Sequence, residues 1–199
     1  MPLYVMSALM LLAAHASGLI CDRERCGKSW TIGACVFLAS VLFLGRFELI
    51  FSPELILCAS SVLFVFAAVL SYAIKRNGAH QTLKTVLLGM ALSIPFHLLD
   101  SVLERDASML ASGLIAVCAN IVLRGKGRSI LLVCALSELM FQAEKTLLLY
   151  LNTGYCCFEL TSYSLDRMMI MALFTGFAHG ILNWSSGAIS AKNNYSSTA

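Results

Sequence analysis

The sequence predicts an all-α protein, a bundle of about seven transmembrane helices, and three observations support this fold class. Of the 199 residues, 59% are hydrophobic and 13% are charged, whereas soluble domains carry about 25% charged residues. The apolar residues form seven blocks separated by short polar breaks, and a helix needs about 20 mostly apolar residues to span a bilayer. Basic residues are concentrated in alternate connections, which is typical of polytopic membrane proteins.

The seven apolar blocks are bounded by charged residues, glycine and proline. Pro53 marks the turn between the second and third blocks, because proline cannot continue the hydrogen-bond ladder of a helix. The short connections leave no room for a soluble domain, so we predict one transmembrane domain over residues 1–190 and a polar cytoplasmic tail over residues 191–199. The blocks cover residues 2–20, 31–51, 55–74, 85–103, 107–123, 129–152 and 168–189.

The first block has an alternative interpretation as a cleaved signal peptide. Ala14, His15 and Ala16 form an A-x-A-like cleavage pattern. However, basic residues do not precede the block, as they do in a signal peptide. We therefore keep it as a helix, and cleavage would leave six spans with the same assignment of the connections.

The distribution of lysine and arginine predicts the orientation of the chain. If the connections alternate between two sides, one side receives ten basic residues and the other receives only three, Arg46, Arg105 and Arg167. Short cytoplasmic loops collect lysine and arginine, so we predict an outside N-terminus and a cytoplasmic C-terminus, in a bacterial inner membrane. The ten residues are Arg23, Arg25, Lys28, Lys75, Arg76, Lys84, Arg124, Lys126, Arg128 and Lys192.

Block six, residues 129–152, carries ionisable residues inside a segment long enough to span a bilayer. Glu138, Gln142 and Lys145 are spaced by four and three residues and share one helix face. An ionisable group near mid-membrane costs at least about 2.5–3.5 kcal/mol unless it finds a partner or water. Glu138 is therefore either a functional group or a structural one that bonds to a neighbouring helix.

Block four carries a polar stripe made of Ser93, His97, Asp100 and Glu104, at spacings of four, three and four. These residues lie on one helix face, and Pro95 is expected to bend the helix beside them. The stripe could form a path for protons or cations. Alternatively, Asp100 and Glu104 mark a helix end that reaches water.

Block seven combines polar residues with small ones. His179 and Asn183 are four residues apart. His179 is expected near mid-membrane, where a histidine is either a proton relay or a structural residue with satisfied hydrogen bonds. Gly176 and Gly180 have the same spacing, and small residues let transmembrane helices pack closely. We predict that these glycines form a helix–helix contact surface.

Other classes of protein are disfavoured. The net charge of +3 comes from small groups of basic residues rather than one basic face, so we predict no nucleic-acid partner. His15, His97 and His179 are expected at different depths, which disfavours bis-histidine haem ligation. The cysteines lack paired C-x-x-C spacing. We expect no catalytic residue, metal or cofactor, and hence no enzyme.

Two functions remain open. The first is a small transporter or permease coupled to a proton or solute, with the bilayer as its environment. The second is a non-catalytic membrane scaffold, assembly or signalling partner, in which the buried polar residues hold the helices in register. The predicted binding residues are Glu138, His179, His97, Asp100, Gln142, Lys145 and Asn183.

Overall fold

The structure, a computed structural model, describes residues 5–7, 9–11, 28–44, 47–73, 79–122 and 127–196. Most of these residues are helical, including 5–7 and 9–11, and the remainder form short strands and turns. The helices with defined bounds are α1 (Lys28–Leu44), α2 (Ala59–Ala73), α3 (Ala79–Val102), α4 (Arg105–Val122), α5 (Gly127–Thr153) and α6 (Ser162–Ser196). The strands are β1 (Glu48–Ser52), β2 (Leu55–Cys58) and β3 (Phe158–Leu160).

The three strands form a small sheet that the all-α prediction did not include. Strand β1 pairs antiparallel with β2 through the turn at Pro53, and β2 pairs parallel with β3. The sequence placed residues 48–51 and 55–58 in transmembrane helices. A short apolar run next to a turn is compatible with either helix or strand, so hydropathy alone could not separate the two.

Two helices begin six residues earlier than the apolar blocks predict. Helix α3 starts at Ala79 rather than at residue 85, and α6 starts at Ser162 rather than at residue 168. Arg167 therefore lies inside a helix and not in the connection to which the sequence assigned it. Helix α6 also continues to Ser196, into the predicted tail. Hydropathy marks an apolar segment, whereas a helix can extend through polar residues at either end.

Helix α5, which corresponds to apolar block six, lies at the centre of the described fold. It packs against α2, α3, α4 and α6 and also contacts β3. Its buried side chains include Val133, Phe141 and the polar residues Glu138 and Gln142. Each neighbouring helix also buries at least one serine or threonine, so the interior around α5 is partly polar.

The outer surface of the bundle is strongly apolar. Helix α3 exposes a stripe of large apolar side chains with spacings of three and four residues, each between 43% and 79% exposed. Large apolar patches on a protein surface indicate a partner or a membrane. The residues of this stripe are Leu83, Leu87, Met90, Ile94, Leu98 and Val102.

One segment of the described chain, His80–Val102, is a helix both long enough and apolar enough to cross a bilayer. The apolar segment Ala59–Leu70 is shorter than a full span. Helix α5 has the required length but carries charged residues along it, among them Glu138, Glu144 and Lys145. The predicted number of seven spans therefore stays a prediction.

The three connections predicted to lie outside are adjacent at one end of the bundle. The β1–β2 hairpin belongs to the first connection and β3 to the third, and the two meet in the sheet. The second connection contributes Arg105, whose guanidinium lies 4.3 Å from the centre of the Tyr163 ring near the start of α6. An alternating path of the chain through the bundle requires this placement.

Gly89 permits close approach of α3 to α5, and substitution there is expected to destabilise the fold. A Cβ atom added at Gly89 would lie 2.8 Å from Cβ of Leu136. Because both atoms are fixed to helix backbones, the helices must separate. We expect Gly89→Ala to lower the free energy of unfolding by about 1–3 kcal/mol, measured as a lower unfolding temperature in detergent.

The matched control for Gly89 is the exposed Ala91 on the same helix. Ala91→Leu adds a larger side chain that points away from α5 and is expected to leave the unfolding temperature nearly unchanged. An equal loss in both variants would contradict close packing at Gly89.

Candidate binding site around Arg167

Arg167 is the centre of a buried group of charges that joins three helices. It lies in the second turn of α6, and its side chain is 0% exposed. Its Nη2 atom lies 2.6 Å and 2.8 Å from the two carboxylate oxygens of Asp100 on α3. Its Nη1 atom lies 3.6 Å from Oε2 of Glu138 on α5. We call Asp100, Glu138 and Arg167 the Arg167 triad.

Asp100 is the carboxylate of the triad that reaches solvent. Its side chain is 29% exposed, and its Oδ1 atom accepts hydrogen bonds from the hydroxyls of Ser108 on α4 and Tyr163 on α6. Arg167 Nη2 also donates to the Tyr163 hydroxyl oxygen, at 2.8 Å. Asp100 thus connects α3, α4 and α6 at the end of the bundle that carries the sheet.

Glu138 is the carboxylate of the triad that is fully buried. Gln142, one turn along α5, donates from Nε2 to Glu138 Oε1 at 2.8 Å and to the Ser164 hydroxyl at 3.0 Å. Glu138 Oε2 and the Nε and Nη1 atoms of Arg167 have no hydrogen-bond partner among the described residues. The side of the triad that faces Glu138 is therefore incompletely satisfied.

Aromatic rings enclose the guanidinium. Its central carbon lies 4.5 Å from the Phe141 ring centre, 4.8 Å from that of Tyr163 and 5.2 Å from that of Phe96. A cation within about 6 Å of a ring centroid is attracted by the negative face of the ring. The rings also exclude water, which strengthens the attraction between Arg167 and the two carboxylates.

A second polar pair lies on the other side of Phe141. His97 Nε2 is 3.0 Å from Oε2 of Glu144, and the Ser93 hydroxyl donates to Glu144 Oε1 at 2.8 Å. The His97 ring also packs on Phe141, with 4.6 Å between ring centres. The pair is partly exposed, with 30% of the His97 side chain and 32% of the Glu144 side chain accessible.

An open cleft of about 770 Å³ leads from the surface to Asp100. We call it the Asp100 cleft. It combines charged, hydroxyl-bearing and apolar side chains from α3, α4, α5 and the start of α6. Its lining residues are His97, Asp100, Ser101, Leu103, Arg105, Phe141, Lys145, Thr161, Ser162 and Tyr163.

A smaller cleft of about 400 Å³ lies between α5 and β3 and shares Lys145 with the Asp100 cleft. Its wall includes Gln142, Cys157 and Glu159. Burial and the Glu159 carboxylate, which accepts a hydrogen bond from the Cys157 thiol at 3.4 Å, raise the pKa of that thiol. Cys157 therefore contributes a neutral thiol at physiological pH.

The structure brings four of the predicted binding residues together. Glu138 and Gln142 are hydrogen-bonded on one face of α5, as their spacing predicted, and Asp100 meets Glu138 through Arg167. His97 lies at the Asp100 cleft and bonds to Glu144.

The remaining predicted binding residues have different positions. Lys145 is exposed and lines both clefts. His179 and Asn183 belong to α6 by their backbones, but their side chains are outside the described part of the structure. Of the predicted glycine contact, Gly180 is buried and Gly176 is partly exposed.

The predicted stripe on α3 divides into separate contacts. Ser93 and His97 bond to Glu144, whereas Asp100 bonds to Arg167. Glu104 is exposed beyond the end of α3, where its carbonyl accepts a hydrogen bond from the Ser108 amide. The stripe therefore divides into two groups of contacts, and Glu104 lies exposed at the helix end.

Arg167 and Glu144 are site residues that sequence reasoning missed. Arg167 was counted only as a basic residue of an outside connection, and Glu144 was not among the predicted binding residues. A signal for Arg167 was present, because Asp100 and Glu138 both fall in apolar blocks and require a cation. Arg167 directly precedes the last apolar block, on the same predicted side as Asp100.

Comparison of the chain with protein-family models, with curated proteins and with solved structures gives no match. Within the described residues, histidine, cysteine, aspartate and glutamate do not form a group of three or more that could hold a metal ion. The Arg167 triad and the two clefts are therefore the features of the molecule that indicate a function.

Proposed function

We propose that this chain is a polytopic membrane protein that moves a small solute together with a proton, and that the Arg167 triad binds the proton. The observation that carries this proposal is one buried guanidinium between two carboxylates, of which one reaches an open cleft. The membrane assignment and the proton assignment have separate support.

The distribution of polar and apolar side chains supports a membrane environment. Arg167 and Glu138 are fully buried, whereas the stripe on α3 presents large apolar side chains to the outside. Charged residues inside membrane proteins face the interior of the helix bundle and pair with one another. The grouping of the three predicted outside connections at one end supports the predicted alternation of the connections between two sides.

The charges of the triad support proton binding. With both carboxylates ionised, Asp100, Glu138 and Arg167 carry one net negative charge, and a single proton makes the group neutral. An uncompensated charge in a buried site is costly, so binding of one proton removes this cost from the triad. Asp100, partly exposed in the cleft, provides the route from solvent to the buried Glu138.

The scaffold alternative is favoured by one observation, namely that the triad joins α3, α5 and α6. In that case Arg167 and its partners would fix the helix register without binding a proton or solute. The two functions predict different effects of a neutral substitution at Glu138. A transporter would lose proton movement, whereas a scaffold would be affected only if less folded protein were present.

The test is proton movement in liposomes that contain the purified full-length chain and an entrapped pH-sensitive dye. A panel of small carboxylates, amines, sugars and amino acids is added outside, and a coupled solute should acidify the interior beyond the change in protein-free liposomes. We expect Glu138→Gln to abolish this acidification, because the amide keeps the shape but cannot accept the proton.

The matched control is Glu54→Gln, an identical change at an exposed turn, which should retain wild-type acidification per molecule of protein. Wild-type acidification by the Glu138→Gln variant would contradict the proposed role of the triad. No solute-driven acidification by the wild-type protein, together with loss of folded protein in the Glu138→Gln variant, would favour the scaffold function.

A further inference from the structure

The Asp100 cleft has an excess of cationic groups. Its one carboxylate, Asp100, is bonded to Arg167 at 2.6 Å and 2.8 Å. In contrast, Arg105 and Lys145 line the cleft without an ion pair to any described residue. Arg105 is positioned by the Tyr163 ring, 4.3 Å from its guanidinium carbon. Two cations therefore face the cleft beside a single carboxylate, and that carboxylate is already bonded to Arg167.

The other side chains of the cleft indicate an organic ligand. Thr161 and Ser162, at the start of α6, add hydroxyl groups, and the N-terminus of a helix favours negative charge. Leu103 and Phe141 contribute apolar surface to the same cleft. The volume of about 770 Å³ is in the range typical of small-molecule sites.

We propose that the Asp100 cleft binds a small organic anion, with its carboxylate at Arg105 and Lys145 and its apolar part against Leu103 and Phe141. Arginine suits this role because its planar group of donors matches the geometry of a carboxylate. The proposal depends on the proposed transport function, because it names the chemical class of the solute.

The position of the cleft above the triad couples the anion to the proton. A proton on the triad removes one negative charge next to the anion and therefore strengthens binding of the anion. Because the coupling is reciprocal, a bound anion also strengthens binding of the proton. The other charged or titratable groups that line the cleft or bond to its lining are His97, Arg105, Lys145, Tyr163 and Glu144.

Binding can be measured by titration calorimetry of the purified full-length protein in detergent, with benzoate as the probe and a protein-free detergent blank. Benzamide has nearly the same shape without the charge, and we expect it to bind at least about tenfold more weakly, since a hydrogen bond to a charged group contributes about 1.5–3 kcal/mol. Arg105→Gln and Lys145→Gln should each weaken benzoate binding by about tenfold.

The matched control is Lys84→Gln, which removes the same charge from an exposed position of α3 outside the cleft. This variant should bind benzoate like the wild-type protein. Equal loss in all three variants, or equal binding of benzoate and benzamide, would overturn the proposed site. Inorganic phosphate is titrated in parallel, and binding as tight as that of benzoate would overturn the role assigned to Leu103 and Phe141.

Failure of this inference is distinguishable from failure of the transport proposal. Solute-driven proton entry that depends on Glu138, in a protein that does not bind benzoate, would contradict the anion site alone. Benzoate binding that depends on Arg105 and Lys145, in a protein that moves no protons with any solute, would support the site and contradict transport.

Discussion

Arg167→Met is expected to lower the free energy of unfolding by about 3–5 kcal/mol, because removal of one partner leaves buried charges without compensation. Methionine is shorter than arginine but keeps an unbranched apolar side chain at this position, so the change removes the charge together with some packing volume. In the variant, Glu138 keeps the hydrogen bond from Gln142, and Asp100 keeps those from the hydroxyls of Ser108 and Tyr163. The loss is measured as a lower unfolding temperature and lower abundance in the membrane.

The control for Arg167→Met removes the two carboxylate charges as well. The triple variant Asp100→Asn, Glu138→Gln, Arg167→Met contains no unpaired charge in the triad and should recover most of the lost stability, since a buried ion pair contributes little over a neutral replacement. Without such recovery, the effect of Arg167→Met would have to come from packing, which would contradict the electrostatic explanation.

Phe141→Ala is expected to have an effect of similar size, about 3–5 kcal/mol, because it removes a large buried aromatic side chain. The Phe141 ring is 2% exposed and contacts Phe96 edge-on, His97 at 4.6 Å and the Arg167 guanidinium at 4.5 Å. The variant therefore loses core packing and one of the rings that enclose the cation. Thermal unfolding in detergent measures the change.

Phe66 provides the matched control for Phe141. It lies on α2 and is 63% exposed, so Phe66→Ala removes the same side chain without opening a cavity. We expect its unfolding temperature to stay close to that of the wild-type protein. Similar losses in the two variants would show that Phe141 is not the packing centre that its contacts indicate.

Much of the helical architecture could be predicted from the sequence. The apolar blocks and the polar breaks between them predict the ends of the helices to within several residues. Block six becomes the central helix α5, and the spacing of Glu138 and Gln142 predicted their shared face. The sheet could not be predicted in the same way. Residues 48–52 are as apolar as a helix, and their pairing with β2 depends on the turn at Pro53.

The centre of the site depended on contacts between residues distant in the chain. Asp100 and Arg167 are separated by 67 positions, and periodicity within one helix carries no information about such a pair. Arg167 looked like a loop residue because hydropathy marked the start of its block one position later. The sequence indicated that Asp100 and Glu138 need a cationic partner. It did not indicate which basic residue is that partner.

The composition of the Arg167 triad has a consequence for the stoichiometry of the proposed transport. One guanidinium between two carboxylates reaches neutrality with a single proton, so we expect one proton to accompany each monovalent anion. One proton and one monovalent anion that move together carry no net charge across the bilayer, so the transport would be electroneutral. Its rate should follow the pH difference between the two compartments and not the membrane voltage.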